Sequence, residues 1–359
     1  AVDRARAARA LRPEDFGHRL HLAICLLAAG QHQEAATILC DAQEQARGSA
    51  REASLLASLL VRASRHREAA ECYERAAALE PGNARHQFSL AATYRFLGRL
   101  DEAEAACDRA IALDPAEYEA YLVRADLRTQ TAANNHVDAM ESVLANSAAP
   151  YMGEVMLCHA LAKECEDLGD HARSFRYLAR GAALRRKHLS YEVQQDIELF
   201  DELITQFPRE RLQADGLGSE DTVLPVFVLG LPRTGTTLVE RILSSHSQIN
   251  TGGELTDFPQ LVSRLADAIV PGCADDPMAM VRASLQIDRE ELGSRYLSAV
   301  GPHAQGAARL VDKLPFNYLN LGLIHRALPG ATIIHVTRNP MDTCYAIFKI
   351  DPIRIEPHQ

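Results

Sequence analysis

No run of apolar residues in this 359-residue sequence approaches the roughly 18 needed for a helix to cross a membrane, so no such span is expected. Positive charge is not in excess either. The 38 Lys and Arg against 48 Asp and Glu leave a formal net charge of −10, which excludes the broad basic surface of a nucleic-acid binder. Small anions can still be held in local pockets. The eight cysteines (Cys25, Cys40, Cys72, Cys107, Cys158, Cys165, Cys273 and Cys344) have no C-x-x-C pair and no nearby histidine at a spacing that would suggest zinc. That argues against a zinc site and for reduced thiols in a reducing, cytoplasmic compartment. An initiating methionine is also missing, since the sequence opens at Ala1, which leaves room for a removed targeting segment. At about 150 residues per domain the length allows two to three domains.

What is present is an internal period. Gly30, Ser64 and Gly98 are spaced 34 apart, and Ala35, Ala69 and Ala103, then Ala42, Ala76 and Ala110, recur in the same register. Pro81 and Pro115 close two units, Pro13 sits in register before them, and Tyr73, Leu90 and Tyr94 fill large-residue positions. A small residue at a turn, alanines that let helices approach closely and a proline exit describe a helix–turn–helix unit that stacks on its neighbours. In the unit from Asn83 to Pro115, Leu90, Ala91 and Tyr94 are expected on one buried helical face and Ala103, Cys107 and Ala110 on another. The pattern resembles the tetratricopeptide repeat. It fades after Glu119 and partly returns around Gly169, where a degenerate last unit is expected; Pro13 is expected to close a unit that begins before Ala1.

An all-helical solenoid over residues 1–190 implies a concave groove for a peptide or partner, with a plain scaffold or dimer surface as the alternative. Arg173, Arg176 and Arg180, followed by Arg185, Arg186 and Lys187, form a candidate basic stripe for an acidic peptide; a solvated helix face is the plainer reading. Residues 191–222 read as a connecting helix and linker. The helix has Val193, Ile197, Phe200, Leu203 and Ile204 as its apolar positions and ends at Pro208. The polar stretch Gln213–Thr222, with Gly216 and Gly218, is the expected domain boundary.

Beyond it the pattern turns to α/β. Pro225–Leu229 is an apolar run of buried-strand type, followed by Gly230-Leu231-Pro232-Arg233-Thr234-Gly235-Thr236-Thr237 and then by Leu238, Ile242 and Leu243 at helical spacing. Strand, glycine loop and helix is the order in which backbone amides and a helix N-terminus cradle phosphate. The spacing matches the nucleotide triphosphatase loop G-x-x-x-x-G-K-[ST], but Thr236 stands where that loop has lysine, and no magnesium-binding carboxylate follows. A kinase-like or ATPase reading is disfavoured.

Pro232-Arg233-Thr234-Gly235-Thr236-Thr237 resembles instead the P-[KR]-[ST]-G-T-T loop of sulfotransferases that use 3'-phosphoadenosine 5'-phosphosulfate. The similarity is greatest to the protein-tyrosine branch and to bacterial proteins that join tetratricopeptide repeats to such a domain. It implies a P-loop-like α/β domain with a parallel sheet over residues 223–359, in which Pro232, Arg233, Thr234, Gly235, Thr236 and Thr237 bind the nucleotide. In that branch a catalytic glutamate follows the loop arginine by 21 residues, which lands on Glu254 in Gly252-Gly253-Glu254. Asp312-Lys313-Leu314-Pro315-Phe316 resembles the family's N-K-x-P-F segment and carries its lysine role onto Lys313. Arg338, after the strand-like run Ile333–Val336, takes the 3'-phosphate position; the family's partner serine, eight residues on, is Ala346 here. Members of the family continue well past this last motif, so the domain is expected to be C-terminally incomplete.

The resemblance therefore implies sulfuryl transfer to an acceptor hydroxyl, with a protein tyrosine as candidate and no metal. Glu254 would be the base, Arg233 and the loop amides would hold the phosphosulfate, and Lys313 would stabilise developing charge. Lys313 and Arg338 follow apolar runs, and α/β folds place ligands at the carboxyl ends of strands. A surface glutamate, a surface lysine and a salt-bridged arginine are the plainer readings. His246, His325 and His335 read as structural, the last among apolar strand neighbours. The competing function is an interaction protein whose repeats bind a partner while the sulfotransferase-like domain is inactive. Neither a nucleic acid nor a membrane is an expected partner.

Overall fold

The computed structural model describes residues 2–146, 149–212 and 224–350. They form two compact units that divide between Leu189 and Ser190.

The first unit is helical throughout: α1 (Val2–Leu11), α2 (Phe16–Ala28), α3 (His32–Asp41), α4 (Ala50–Arg62), α5 (His66–Leu79), α6 (Ala84–Phe96), α7 (Leu100–Leu113), α8 (Tyr118–Asp126), α9 (Val137–Asn146), α10 (Tyr151–Asp167) and α11 (His171–Arg186). The 34-residue period is the packing itself. Gly30, Ser64 and Gly98, with φ of 73°, 59° and 72°, turn each first helix into its partner, and Gly169 at 78° does the same between α10 and α11. Glycine takes this left-handed conformation without steric cost, whereas Ser64 bears a small strain. Ala35, Ala69, Ala103, Ala42, Ala76 and Ala110 are all at 0% exposure, because each marks a place where one helix lies directly against the next. Leu90, Ala91, Tyr94 and Cys107 are buried as the spacing requires.

Burial pushes the Cys72 thiol up to about 11 and the Cys107 thiol to about 12, so both are packing residues rather than reactive ones. After Glu119 the regular pattern breaks: α8 stops at Asp126, and a bridge between Thr131 and Asn134 intervenes before α9. The basic stripe on α11 is neither a free anion site nor simply solvated. Arg173 donates to Glu141 at 3.1 Å and Arg180 to Glu154 at 2.8 Å, so two of its charges are neutralised by α9 and α10.

The second unit contains α12 (Val193–Gln206), β1 (Leu224–Leu229), α13 (Thr236–Ser244), β2 (Ile249–Gly253), α14 (Asp257–Ile269), α15 (Pro277–Ser284), α16 (Arg289–Val300), β3 (Arg309–Asp312), α17 (Leu321–Ala327), β4 (Thr332–His335) and α18 (Pro340–Phe348). The strands form one parallel sheet in the order β2-β3-β1-β4. Along β1 side chains alternate between the two faces, as strand geometry demands. Phe227 and Leu229 enter a core with α14 and α16, where Phe227 stacks on Tyr296 and Phe258 meets both rings edge-on, with centroids 5.4 to 6.0 Å apart. Val226 and Val228 face Val239 and Leu243 of α13. Both faces of the parallel sheet are thus covered, the usual condition for its stability.

Helices α12 and α13 add detail to the sequence reading. Helix α12 belongs to this unit: Arg282 of α15 donates to its Glu202 at 2.8 Å, and Phe200 stacks 6.1 Å from Tyr318. Its apolar positions lie on the surface and none is buried. Helix α13 forms as its spacing implies but buries a different face: Leu238 and Ile242 are 66% and 62% exposed, while Thr236 and Glu240 are buried. The expected boundary at Gln213–Thr222 and the expected incomplete C-terminus beyond Ile350 lie outside the described residues.

Candidate active site

Each of the four parallel strands delivers a sequence-predicted residue at its carboxyl end. β1 runs into the glycine loop, β2 ends beside Glu254, β3 beside Lys313 and β4 shortly before Arg338. The strand order therefore sets Glu254, Lys313, the loop and Arg338 side by side along one edge of the sheet, the place where open α/β sheets bind ligands.

The loop is tightly built. Gly230, at φ +145°, passes so close to the segment after β4 that a Cβ there would lie 2.4 Å from the Val336 carbonyl oxygen. Its N–H donates to the Pro315 carbonyl at 3.2 Å, and Val336 N–H donates to Leu229 O at 2.9 Å, so the loop is stitched to the segments that follow β3 and β4. Arg233 has φ +68°, a left-handed conformation in a non-glycine residue, of the kind that surrounding structure must hold in place. Thr234 Oγ1 donates to Leu231 O at 2.7 Å and closes the turn. Gly235, at φ +105°, caps α13, and the first intrahelical bond from this cap reaches Val239 N. The amides of the first turn have no helical acceptor and are available to an anion. Thr236 is buried, while Thr237 and Arg233 are exposed.

Lys313 hydrogen-bonds to Glu254 and faces Glu240 Oε2 at 3.9 Å. Its side chain is 7% exposed, against 57% for Glu254. Lys313 N–H also donates to Gly253 O at 2.9 Å, so the main chain fixes the two segments together. Arg338 is exposed; its Nη1 donates to the Arg233 carbonyl at 3.5 Å and its Nε lies 3.7 Å from Asp342. Ala346 lies half-buried on α18. The three histidines stand apart from this cluster: His325 Nε2 is bonded to Leu212 O at 2.9 Å, and His246 Nδ1 accepts from Gln248 N–H at 3.2 Å. His335 is exposed at the end of β4 rather than enclosed by its apolar neighbours.

Glu240 and Thr251 belong to the site although the sequence did not mark them. Only their positions could have: Glu240 lies one helical turn after Thr236 and so on the same face. Asp312, the residue before Lys313, is fully buried, accepting from Tyr296 Oη at 2.7 Å, and Asn317 Nδ2 approaches at 3.5 Å. Burial pushes its carboxyl up to about 7, against the opposing effect of the Tyr296 hydrogen bond.

Residues 225–350 match the sulfotransferase family, and residues 1–50 and 54–143 match the tetratricopeptide repeat. The chain joins tetratricopeptide repeats to a sulfotransferase-family domain. The sulfotransferase match covers β2, β3, β4, all of β1 but Leu224, and each residue of the cluster. An uncharacterized protein of Aquifex aeolicus (strain VF5) is 30% identical over 240 residues, covering 64% of this chain and 30% of that protein. A Caenorhabditis briggsae protein, named as a candidate protein-tyrosine sulfotransferase, is 28% identical over 114 residues, covering 32% of this chain and 39% of that protein. The chain thus spans only about a third of the length of these curated relatives. The solved structure of YrrB, titled a tetratricopeptide-repeat protein with an unusual peptide-binding site, is 14% identical with a TM-score of 0.36. That match covers 52% of this chain and 95% of the other, a likeness too loose to argue from. No helix among the described residues is long and apolar enough to cross a membrane.

Proposed function

We propose that the sulfotransferase domain transfers a sulfuryl group from 3'-phosphoadenosine 5'-phosphosulfate to an acceptor hydroxyl, a protein tyrosine being the acceptor class to test first. The observation that carries this reading is the meeting of Glu254 and Lys313 at neighbouring strand ends, next to the glycine loop. A base and a cation placed together beside a phosphate cradle suit in-line transfer, where the protein supplies position and charge stabilisation. The residues present fit the donor. Arg233, the hydroxyls of Thr236 and Thr237, and the free amides of α13 suit its 5'-phosphosulfate, and the exposed Arg338 suits its 3'-phosphate.

Glu254, the more exposed carboxylate, accepts the proton of the acceptor hydroxyl. The acceptor oxygen bonds to sulfur as the bond from sulfur to the 5'-phosphate oxygen breaks, and the electron pair leaves with 3'-phosphoadenosine 5'-phosphate. Lys313 and Arg233 stabilise the negative charge that develops on the transferring group and on the departing oxygen. The tetratricopeptide repeats, in this reading, hold the protein or peptide that carries the acceptor, in a cytoplasmic setting that suits eight unpaired cysteines.

The deciding experiment follows transfer of labelled sulfate to tyrosine peptides without magnesium, alongside calorimetric binding of 3'-phosphoadenosine 5'-phosphate. Glu254→Gln is expected to lower transfer by about 10² to 10⁴ while nucleotide binding persists. A folded wild-type chain that binds ATP as well as the 3'-phosphorylated nucleotide, or neither, would overturn the reading and leave the repeats as an interaction scaffold.

A further inference from the structure

Glu240 sits inside the site without a part in the reaction just described. Its side chain is 8% exposed on α13, and a carboxylate so far out of water needs partners. It has two, of different kinds. Thr251 Oγ1 donates to Oε1 at 2.5 Å, and Lys313 Nζ stands 3.9 Å from Oε2, an ion pair without a hydrogen bond. Thr251 Oγ1 itself accepts from Gly253 N–H at 3.0 Å, which links Glu240 to the turn that presents Glu254. Lys313 thus lies between two carboxylates, one enclosed and one open to solvent, and is hydrogen-bonded to the open one.

That arrangement has a consequence for proton transfer. When Glu254 gains a proton it loses the charge that held Lys313, and an enclosed ammonium left without a counter-charge is costly. The acceptor's proton goes to Glu254, so Glu240 is the anion that remains beside the lysine. We propose that Glu240 is a positioning residue that receives Lys313 when Glu254 is protonated, so that the lysine keeps both its charge and its place next to the transferring group. The proposal rests on the assignment of Glu254 as the base. It gives the inward face of α13 a reason to carry a carboxylate beside the apolar Val239 and Leu243.

The sequence has only four lysines, Lys163, Lys187, Lys313 and Lys349, so the side chain of Lys313 can be followed by carbon-13 NMR in the whole chain. Glu254→Gln mimics the protonated base. In that background, adding Glu240→Gln is expected to move the Lys313 Cε signal at fixed pH, and to move it further than Glu240→Gln does in the wild-type chain. A double variant whose Lys313 signal coincides with that of Glu254→Gln alone overturns the proposal. Turnover gives a second readout. Glu240→Gln is expected to keep nucleotide affinity within about threefold while transfer falls by about a hundredfold, with Glu240→Asp recovering part of the loss. Equal losses of binding and transfer, or no loss of transfer, would also overturn it. If the wild-type chain transfers nothing, the base assignment fails first, and the Lys313 signal separates that failure from the absence of a Glu240 contact.

Discussion

Lys313 and Glu254, 59 residues apart in the sequence, form an ion pair whose two members differ sharply in exposure, at 7% and 57%. The pair exists because β2 and β3 are neighbours in the sheet and end level with each other; Gly253 pairs with Asp312. A cation enclosed by the fold and a carboxylate that reaches solvent divide the work of the site between holding and reacting.

Arg233 is an exposed residue of the loop with a left-handed backbone. Replacing it with alanine is expected to weaken binding of 3'-phosphoadenosine 5'-phosphate by about ten- to a hundredfold, the usual range for losing a charge-assisted hydrogen bond. Calorimetry on the wild-type and Arg233→Ala chains measures this directly, and unchanged affinity would remove Arg233 from the site.

Asp312 makes the stability of β3 depend on pH. Its carboxyl is raised by burial from an ordinary value of 3.8 to about 7, so the folded state holds a proton that the unfolded chain releases. The resulting stability is fully present below about pH 4 and is lost as pH rises through about 7, amounting to a few kcal/mol. Amide hydrogen exchange at Leu310 and Val311, corrected for intrinsic rates, is expected to show weaker protection at pH 8 than at pH 5. Asp312→Asn, which can still accept from Tyr296, should flatten that difference.

Ala103 lies at zero exposure where α7 crosses its neighbours. Ala103→Leu adds side-chain volume with no cavity to receive it and is expected to cost about 1–3 kcal/mol, measured as a lower urea midpoint of the repeat unit. Gly98→Ala, which meets no neighbouring atom but must keep φ at +72°, separates backbone strain from crowding and should cost less, about 1 kcal/mol.

The repeats were readable because their signal is local. Gly30, Ser64 and Gly98 fix turns, and the alanines fix helix contacts, at separations that the sequence displays without knowledge of the fold. The glycine loop was readable for the same reason, and the family resemblance located Glu254, Lys313 and Arg338. Glu240, Thr251 and Tyr296 escaped notice because their partners are chosen by strand order. Thr251 meets Glu240, and Tyr296 meets Asp312, only once the sheet has assembled. On α13 the spacing of Leu238, Ile242 and Leu243 correctly signalled a helix, but of the three only Leu243 packs inward, because a buried carboxylate and threonine share that face.

The register of β1 carries a consequence for how the protein is made. Leu224 pairs with Arg309 and Val226 with Thr332, so the central strand has no partner until most of the second unit has left the ribosome, whereas each repeat can close on the helix beside it. Contacts between distant segments form slowly, and an unpaired apolar strand is prone to stick to other chains. Synthesis halted anywhere between Leu229 and Arg309 would leave helices α1 to α11 made and Val226–Leu229 bare, so aggregation of nascent chains should begin at that strand.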